Sequence, residues 1–272
     1  MSSIGIFDSG YGGLTIFKSI VELMPEYNYI YLGDNARAPY GNRNTETIYQ
    51  FTLEAVNWLF SQGCDLVVLA CNTASAKALR TIQQNDLRVL ESDKRVLGVI
   101  RPTAEEVGHL SQTKHIGILG TEGTIQSEYY LIEIADFFPE IIVTQHACPQ
   151  WVPLIEACKH KSKEALAIFN KDLKSILNED KKIDTLVLAC THYPLIKDII
   201  KTLVPPNINI LSQAEIIANS LKNYFIKHSD FEVHFDKDAK RHFYTTGNTN
   251  DFEKHTKLFF GHKIKVEKAI LY

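Results

Sequence analysis

The sequence predicts an α/β protein built as two pseudo-symmetric α/β domains with largely parallel sheets and a shared cleft between them. Three observations carry that reading. Short apolar runs, often rich in β-branched residues (SIGIF, YNYIYL, DLVVLAC, RVLGVI, HIGILG, EIIVTQ, DTLVLAC and INIL), alternate with stretches of helical period. A segment repeats, since Asp65-Leu-Val-Val-Leu-Ala-Cys71-Asn-Thr73 returns as Asp184-Thr-Leu-Val-Leu-Ala-Cys190-Thr-His192, and Ile4–Ser9 has a weaker echo in Ile116–Thr121. Small polar clusters follow the apolar runs, at the strand ends where open parallel sheets bind their ligands.

Taken in order, the first strand SIGIF leads through Asp8-Ser9-Gly10 and the glycine-rich turn Gly10–Gly13 into a helix. That helix carries Leu14, Phe17, Ile20, Val21 and Met24 as one apolar stripe and is stopped by Pro25. A second strand ends at Gly33-Asp34 ahead of the loop Pro39-Tyr40-Gly41, and a second helical stretch covers Thr47 to Gln62. The two repeat strands end at Cys71-Asn72-Thr73 and Cys190-Thr191-His192, and the strand HIGILG ends at Gly120-Thr121. The boundary between domains is expected between RVLGVI and RPTAEE, with a return near Val204-Pro205-Pro206, where the double proline stops a helix. The first domain is then 1–99 plus 207–272 and the second is 100–206. The run KHKSKE at 159–164 reads as a solvated helix face.

Composition narrows the function classes. With 45% hydrophobic and 22% charged residues the chain is globular, and 29 basic against 32 acidic residues give a net −3, which offers no field for nucleic acid or anionic lipid. The N-terminus lacks a signal-peptide pattern, and the apolar runs are about six residues against the ~20 needed to span a bilayer, so a cytoplasmic location and no membrane partner are expected. Five scattered cysteines without a CxxC argue against a disulfide framework or a zinc ribbon, so no metal is expected.

Cys71 and Cys190 are the sharpest candidates. Either one alone reads as an inert buried thiol, but each follows a repeat strand and is expected near the N-terminus of the next helix, where free N–H groups favour thiolate. Pseudo-symmetry places them on opposite walls of one cleft, the geometry for taking a proton from one face of a carbon and delivering one to the other. His192, two residues after a thiol, and Asp8, which otherwise serves as a cap or turn residue, are the natural tuners. The turn Gly10–Gly13 could cradle an anion on its amides but lacks the Walker A ending. Pro39-Tyr40-Gly41 is a loop whose glycine permits a ligand to approach the backbone.

These motifs in order, DSGYGG at 8–13, GDNARAPYG at 33–41, LACNTAS at 69–75, GTEGT at 120–124, LACTHYPL at 188–195 and YTTGN at 244–248, resemble the glutamate racemases of the aspartate/glutamate racemase superfamily. The resemblance implies a cofactor-independent enzyme that interconverts L- and D-glutamate and supplies D-glutamate for peptidoglycan, with a homodimer expected. It implies that Cys71 and Cys190 are the two acid/base residues, that Asp8 assists the first, and that His192 and Glu156, the latter through ACPQWVPLIEAC, assist the second. Substrate contacts carried over by motif are Ser9, Pro39, Tyr40, Gly41, Asn72, Thr73, Thr121 and Thr191. The chain departs from the pattern at Ser212-Gln213, where family members often carry an aspartate and a small residue. The first strand starts almost at the N-terminus, so activation by a cell-wall precursor is not expected.

Three other readings stay open at this point. An aspartate racemase would differ by one methylene of substrate, worth only about 1–3 kcal/mol of discrimination. A non-catalytic two-lobed amino-acid-binding protein also suits two lobes around a cleft, though it needs no pair of thiols. A thiol-redox protein is disfavoured by the missing CxxC.

Overall fold

The computed structural model describes residues 2–89 and 93–271. Two fully parallel sheets form its frame. The first contains β1 (Ser3–Asp8), β2 (Tyr29–Gly33), β3 (Cys64–Leu69) and β4 (Arg95–Gly98), and the second contains β5 (His115–Gly120), β6 (Ile142–Ala147), β7 (Thr185–Ala189) and β8 (Asn209–Leu211). Two late strands, β9 (Arg241–Thr245) and β10 (Glu267–Lys268), extend the first sheet, giving the orders β10-β9-β2-β1-β3-β4 and β6-β5-β7-β8.

The order β2-β1-β3-β4 matches β6-β5-β7-β8 strand for strand, so the sequence repeat is a repeat of topology. Registers agree as well. Phe7 pairs with Leu69 just before Cys71, and Gly120 pairs with Ala189 just before Cys190. The central strands are buried end to end, as both-faces-covered parallel strands must be.

The structure corrects the domain reading at one strand. Asn209–Leu211, assigned from the double proline to the first domain, pairs with β7 and is the second sheet's counterpart of β4. Pro205 and Pro206 follow the helix Lys197–Leu203 and open the short connection into β8, so they mark an ordinary helix-to-strand turn. The chain instead recrosses at Gln213, entering the helix Ala214–Lys227, which packs on the first helix of the chain, Leu14–Leu23, and on Ile100–Leu110. The first sheet ends at β4 and the second begins at β5, with the helix Ile100–Leu110 between them.

Leu14–Leu23 buries Leu14, Ile16, Phe17, Ile20 and Val21 and ends before Pro25, while Thr45–Ser61 begins at an Asn44 cap whose side chain accepts from Thr47 N. The largest apolar cluster runs through both halves, from Ile4 and Phe17 to Trp151, Phe169 and Leu188, so the two sheets share a core. Among the described residues no helix is long and apolar enough to cross a membrane.

Asp184, at the start of β7, holds the loop ahead of β5. Its carboxylate accepts from Ser111 Oγ and from the amides of Gln112 and Thr113, all at 2.7 Å, and from Thr185 Oγ1 at 2.9 Å. Burial works against the charge, but these bonds outweigh it and pull the carboxyl down to about 2. A folded-state value below the unfolded one gives stabilisation that is complete above about pH 4 and lost as the pH falls toward 2. Asp184→Ala is therefore expected to lower stability by about 1–2 kcal/mol at neutral pH and to flatten the acid side of the stability profile. Thermal unfolding of both proteins from neutral pH down to pH 2 checks this, and parallel acid profiles would contradict it.

Candidate active site

β1, β2, β3, β5 and β7 all deliver their carboxyl ends to one edge, and a cavity of about 190 Å³ lies there between the two sheets. That is below the ~300–1,000 Å³ of drug-sized sites, so it is room for one small molecule. From the first half, Ser9, Cys71, Asn72 and Thr73 line it together with the loop Pro39, Tyr40 and Gly41. From the second half come Thr121, Glu156, Cys190, Thr191 and His192. Asp8 alone of the expected residues stands behind the wall, fully buried.

Cys71 caps the helix Asn72–Lys77, its Sγ accepting from Ala74 N at 3.5 Å and lying 3.4 Å from Ser9 Oγ. The expectation that this helix start favours thiolate is corrected by burial. Loss of solvent and the nearby Asp8 charge push the thiol up to about 12, against the opposing bonds from Ser9 and Ala74. Asp8 reaches Cys71 through its charge, because Oδ1 accepts from Gly10 N at 2.9 Å and Oδ2 from Thr191 Oγ1 at 3.3 Å. Burial raises the Asp8 carboxyl, while His192, the amides of Gly10 and Gly13 and the Thr191 hydroxyl oppose the rise.

Cys190 opens onto a short 3-10 turn, Tyr193–Ile196, and not the α-helix start expected from its resemblance to the Cys71 segment; Pro194 sits in the turn's first residues. Its neighbour is His192, whose Nδ1 is 3.9 Å from Cys190 Sγ and whose Nε2 is 2.9 Å from Glu156 Oε1. Burial depresses the imidazole, but Cys190 and Glu156 outweigh it and hold the ring protonated up to about 10. The two thiols thus sit in unlike fields. Cys71 keeps its proton, and Cys190 faces an imidazolium.

The halves are joined across the cleft by hydroxyls and by one close approach. Thr73 Oγ1 lies 2.9 Å from Thr121 Oγ1, Gly123 N donates to Gly41 O at 2.7 Å, and Thr15 Oγ1 donates to Thr191 O at 2.9 Å. A β-carbon at Gly12 would fall 2.2 Å from Thr191 Oγ1 and 2.4 Å from His192 Nδ1, so the glycine-rich turn serves contact between the halves, while its Gly10 and Gly13 amides hold the carboxylate of Asp8.

Several supporting contacts escape sequence reasoning, which marks Asp34 only as a strand-end residue. Asp34 is buried under the Pro39–Gly41 loop and binds Tyr40, Arg37 and Thr246 Oγ1. The helix Thr249–Phe259 backs the far wall, with Phe259 edge-on to His192 and His255 stacked on Tyr11. His146, Cys148 and Asp172, distant in sequence, come within reach of one ion, a cluster the sequence reading does not contain. Asp172 is already engaged there, accepting from Trp151 Nε1 at 2.7 Å and facing His146 Nε2 at 3.5 Å, which anchors the helix that carries Glu156.

The sequence profile of the Asp/Glu/Hydantoin racemase family matches residues 4–221. The chain belongs to that family. Among the family's relatives, a glutamate racemase from Persephonella marina is 39% identical over 269 residues, covering 99% of this chain and 97% of its own. Among solved structures, a glutamate racemase isoform from Bacillus anthracis superposes with a TM-score of 0.89 at 33% identity, over 99% of this chain and 98% of that one. A Francisella tularensis glutamate racemase, solved in complex with D-glutamate, gives 0.84 at 28% identity, over 100% and 97%. This member of the racemase family therefore has the two-domain fold of its structural neighbours.

Two measurements test the site's physical description. Iodoacetamide at pH 8 is expected to modify the exposed Cys158 and leave Cys71 largely untouched; peptide mass mapping that found Cys71 alkylated as fast as Cys158 would refute a buried, protonated Cys71. Gly12→Ala is expected to cost about 1–3 kcal/mol in a denaturant titration, because the added methyl must displace Thr191 and His192.

Proposed function

We propose that this protein is a glutamate racemase that interconverts L- and D-glutamate by a two-cysteine, two-base transfer of the α-proton, without a cofactor. The single observation that carries the reading is the placement of two thiols, from matching positions of a repeated β-strand segment, on one small cavity with opposite electrostatic settings. Relatives that match nearly the whole chain and bear the name glutamate racemase favour glutamate over aspartate.

In one direction Cys190, held against the protonated His192, accepts the α-proton. The C–H bond breaks and its electron pair stays on the α-carbon, delocalised into the neighbouring carboxylate. Cys71 then donates its proton to the opposite face, and the inverted product leaves. In the reverse direction the roles exchange. The Asn72 amide holds the anionic substrate, and charge that develops in the transition state is met by the hydroxyls of Ser9, Thr73 and Thr121, already in place on the cavity wall. Pro39, Tyr40 and Gly41 complete the wall against the substrate. Asp8 and Glu156 act through their neighbours, Asp8 on the Cys71 proton and Glu156 on the charge of His192.

The same reading places the enzyme in the cytoplasm as a homodimer that supplies D-glutamate for peptidoglycan, with domains that exchange at Val99 and Gln213.

Circular dichroism tests the reaction directly. L-glutamate and D-glutamate, incubated separately with enzyme in reductant and chelator, are each expected to lose their signal, while L-aspartate keeps its own. Decay of aspartate alone would move the substrate to aspartate, and no decay of any would favour a binding protein. Cys71→Ala and Cys190→Ala are each expected to reduce racemisation by about a thousandfold or more with the fold intact by far-ultraviolet dichroism. Near-native turnover in either would overturn the two-base assignment.

A further inference from the structure

Gln213 stands where the motif pattern of the resemblance breaks, and it is buried at the second crossing between the halves. Its surroundings fix which way its amide faces. Thr103 Oγ1 donates to Val99 O at 2.7 Å, so the hydroxyl oxygen and the carbonyl together present only acceptors to a neighbour. The Gln213 atom lying 2.8 Å from Thr103 Oγ1 and 3.4 Å from Val99 O is therefore the nitrogen, and Oε1 faces the other way. There it accepts from Asn72 Nδ2 at 2.7 Å. Gln213 Nε2 also donates to Tyr130 OH at 2.8 Å, and Tyr130 donates to Asn72 Oδ1 at 2.7 Å, which closes a ring of three side chains.

The ring has one polarity, set at the Val99 carbonyl. It consumes the Asn72 carbonyl and one of its two N–H groups. One N–H remains, and Asn72 lines the cavity. We propose that Gln213 is a positioning residue for the racemase reaction: it locks the Asn72 carboxamide so that the cavity meets an N–H donor and never the carbonyl, matching an anionic substrate. The ring ties both crossings, at Val99 and Gln213, and Tyr130 of the second half to a residue of the first, so the donor is in place only when the halves are correctly seated. The inference rests on Asn72 touching substrate, as assigned above.

The experiment compares wild type, Gln213→Met, Asn72→Ala and the double variant by initial racemisation rates against glutamate concentration. Methionine keeps length and bulk and removes the amide. Gln213→Met is expected to raise KM about tenfold or more with kcat within about threefold, Asn72→Ala to raise KM at least as far, and the double variant to match Asn72→Ala alone. A further multiplication of KM by Gln213→Met in the Asn72→Ala background overturns the proposal, as does a fall in kcat with KM unchanged, since both describe a merely structural residue. An unchanged KM in Asn72→Ala itself removes the substrate contact and the proposal with it, which separates that failure from the first. Tyr130→Phe, which removes only a hydroxyl, is expected to raise KM in the same pattern and serves if Gln213→Met fails to fold.

Discussion

The cleft exists because the loop after β7 is hydrogen-bonded into the first half. Thr191 is held at both ends of its residue, its hydroxyl by the buried carboxylate of Asp8 and its carbonyl by Thr15 Oγ1. Gly12 keeps the space that this contact fills. Every other polar arrangement of the site follows from that seating. It puts His192 within the field of Asp8, opposes Cys190 to Cys71 across one cavity, and brings Thr73 to Thr121. Asp8 is therefore costly to bury and is offset by an amide and a hydroxyl from opposite halves.

A repeated topology does not produce a symmetric site. The strand pairs β1–β3 and β5–β7 deliver Cys71 and Cys190 at matching registers, but the residues that follow them differ, Asn-Thr in one half and Thr-His in the other. That difference decides the electrostatics. A thiol that caps a helix and has an aspartate nearby keeps its proton, whereas a thiol beside an imidazole that a glutamate stabilises faces a positive charge. One fold repeated twice thus surrounds its two cavity thiols with unlike charges.

Much of this was legible in the sequence because the informative signals are local. Strand period, the repeat around Cys71 and Cys190, and polar residues at strand ends need no knowledge of the third dimension, and most of the residues they single out line one cavity, with Asp8 and Asp34 buried behind it. What escaped depends on long-range pairing. A double proline reads the same whether it precedes a domain crossing or the last strand of a sheet, so β8 was misplaced. Two-residue β10 has no pattern to detect. The tendency of a helix start to favour thiolate is local, but the desolvation that reverses it at Cys71 comes from the whole surrounding fold. Gln213, an ordinary polar residue in a short loop, gains its meaning only from Val99, Thr103, Tyr130 and Asn72, none of them near it in sequence.

The helix Thr249–Phe259 and strands β9 and β10 are made after both repeated units, yet Phe259 and His255 stand behind His192 and Glu156, and β9 and β10 extend the sheet that holds Asp8. During synthesis a chain that has emerged only through the second unit carries both thiols without the wall that encloses their partners. The wall that Phe259 and His255 provide behind His192 and Glu156 therefore closes only after translation has passed residue 259.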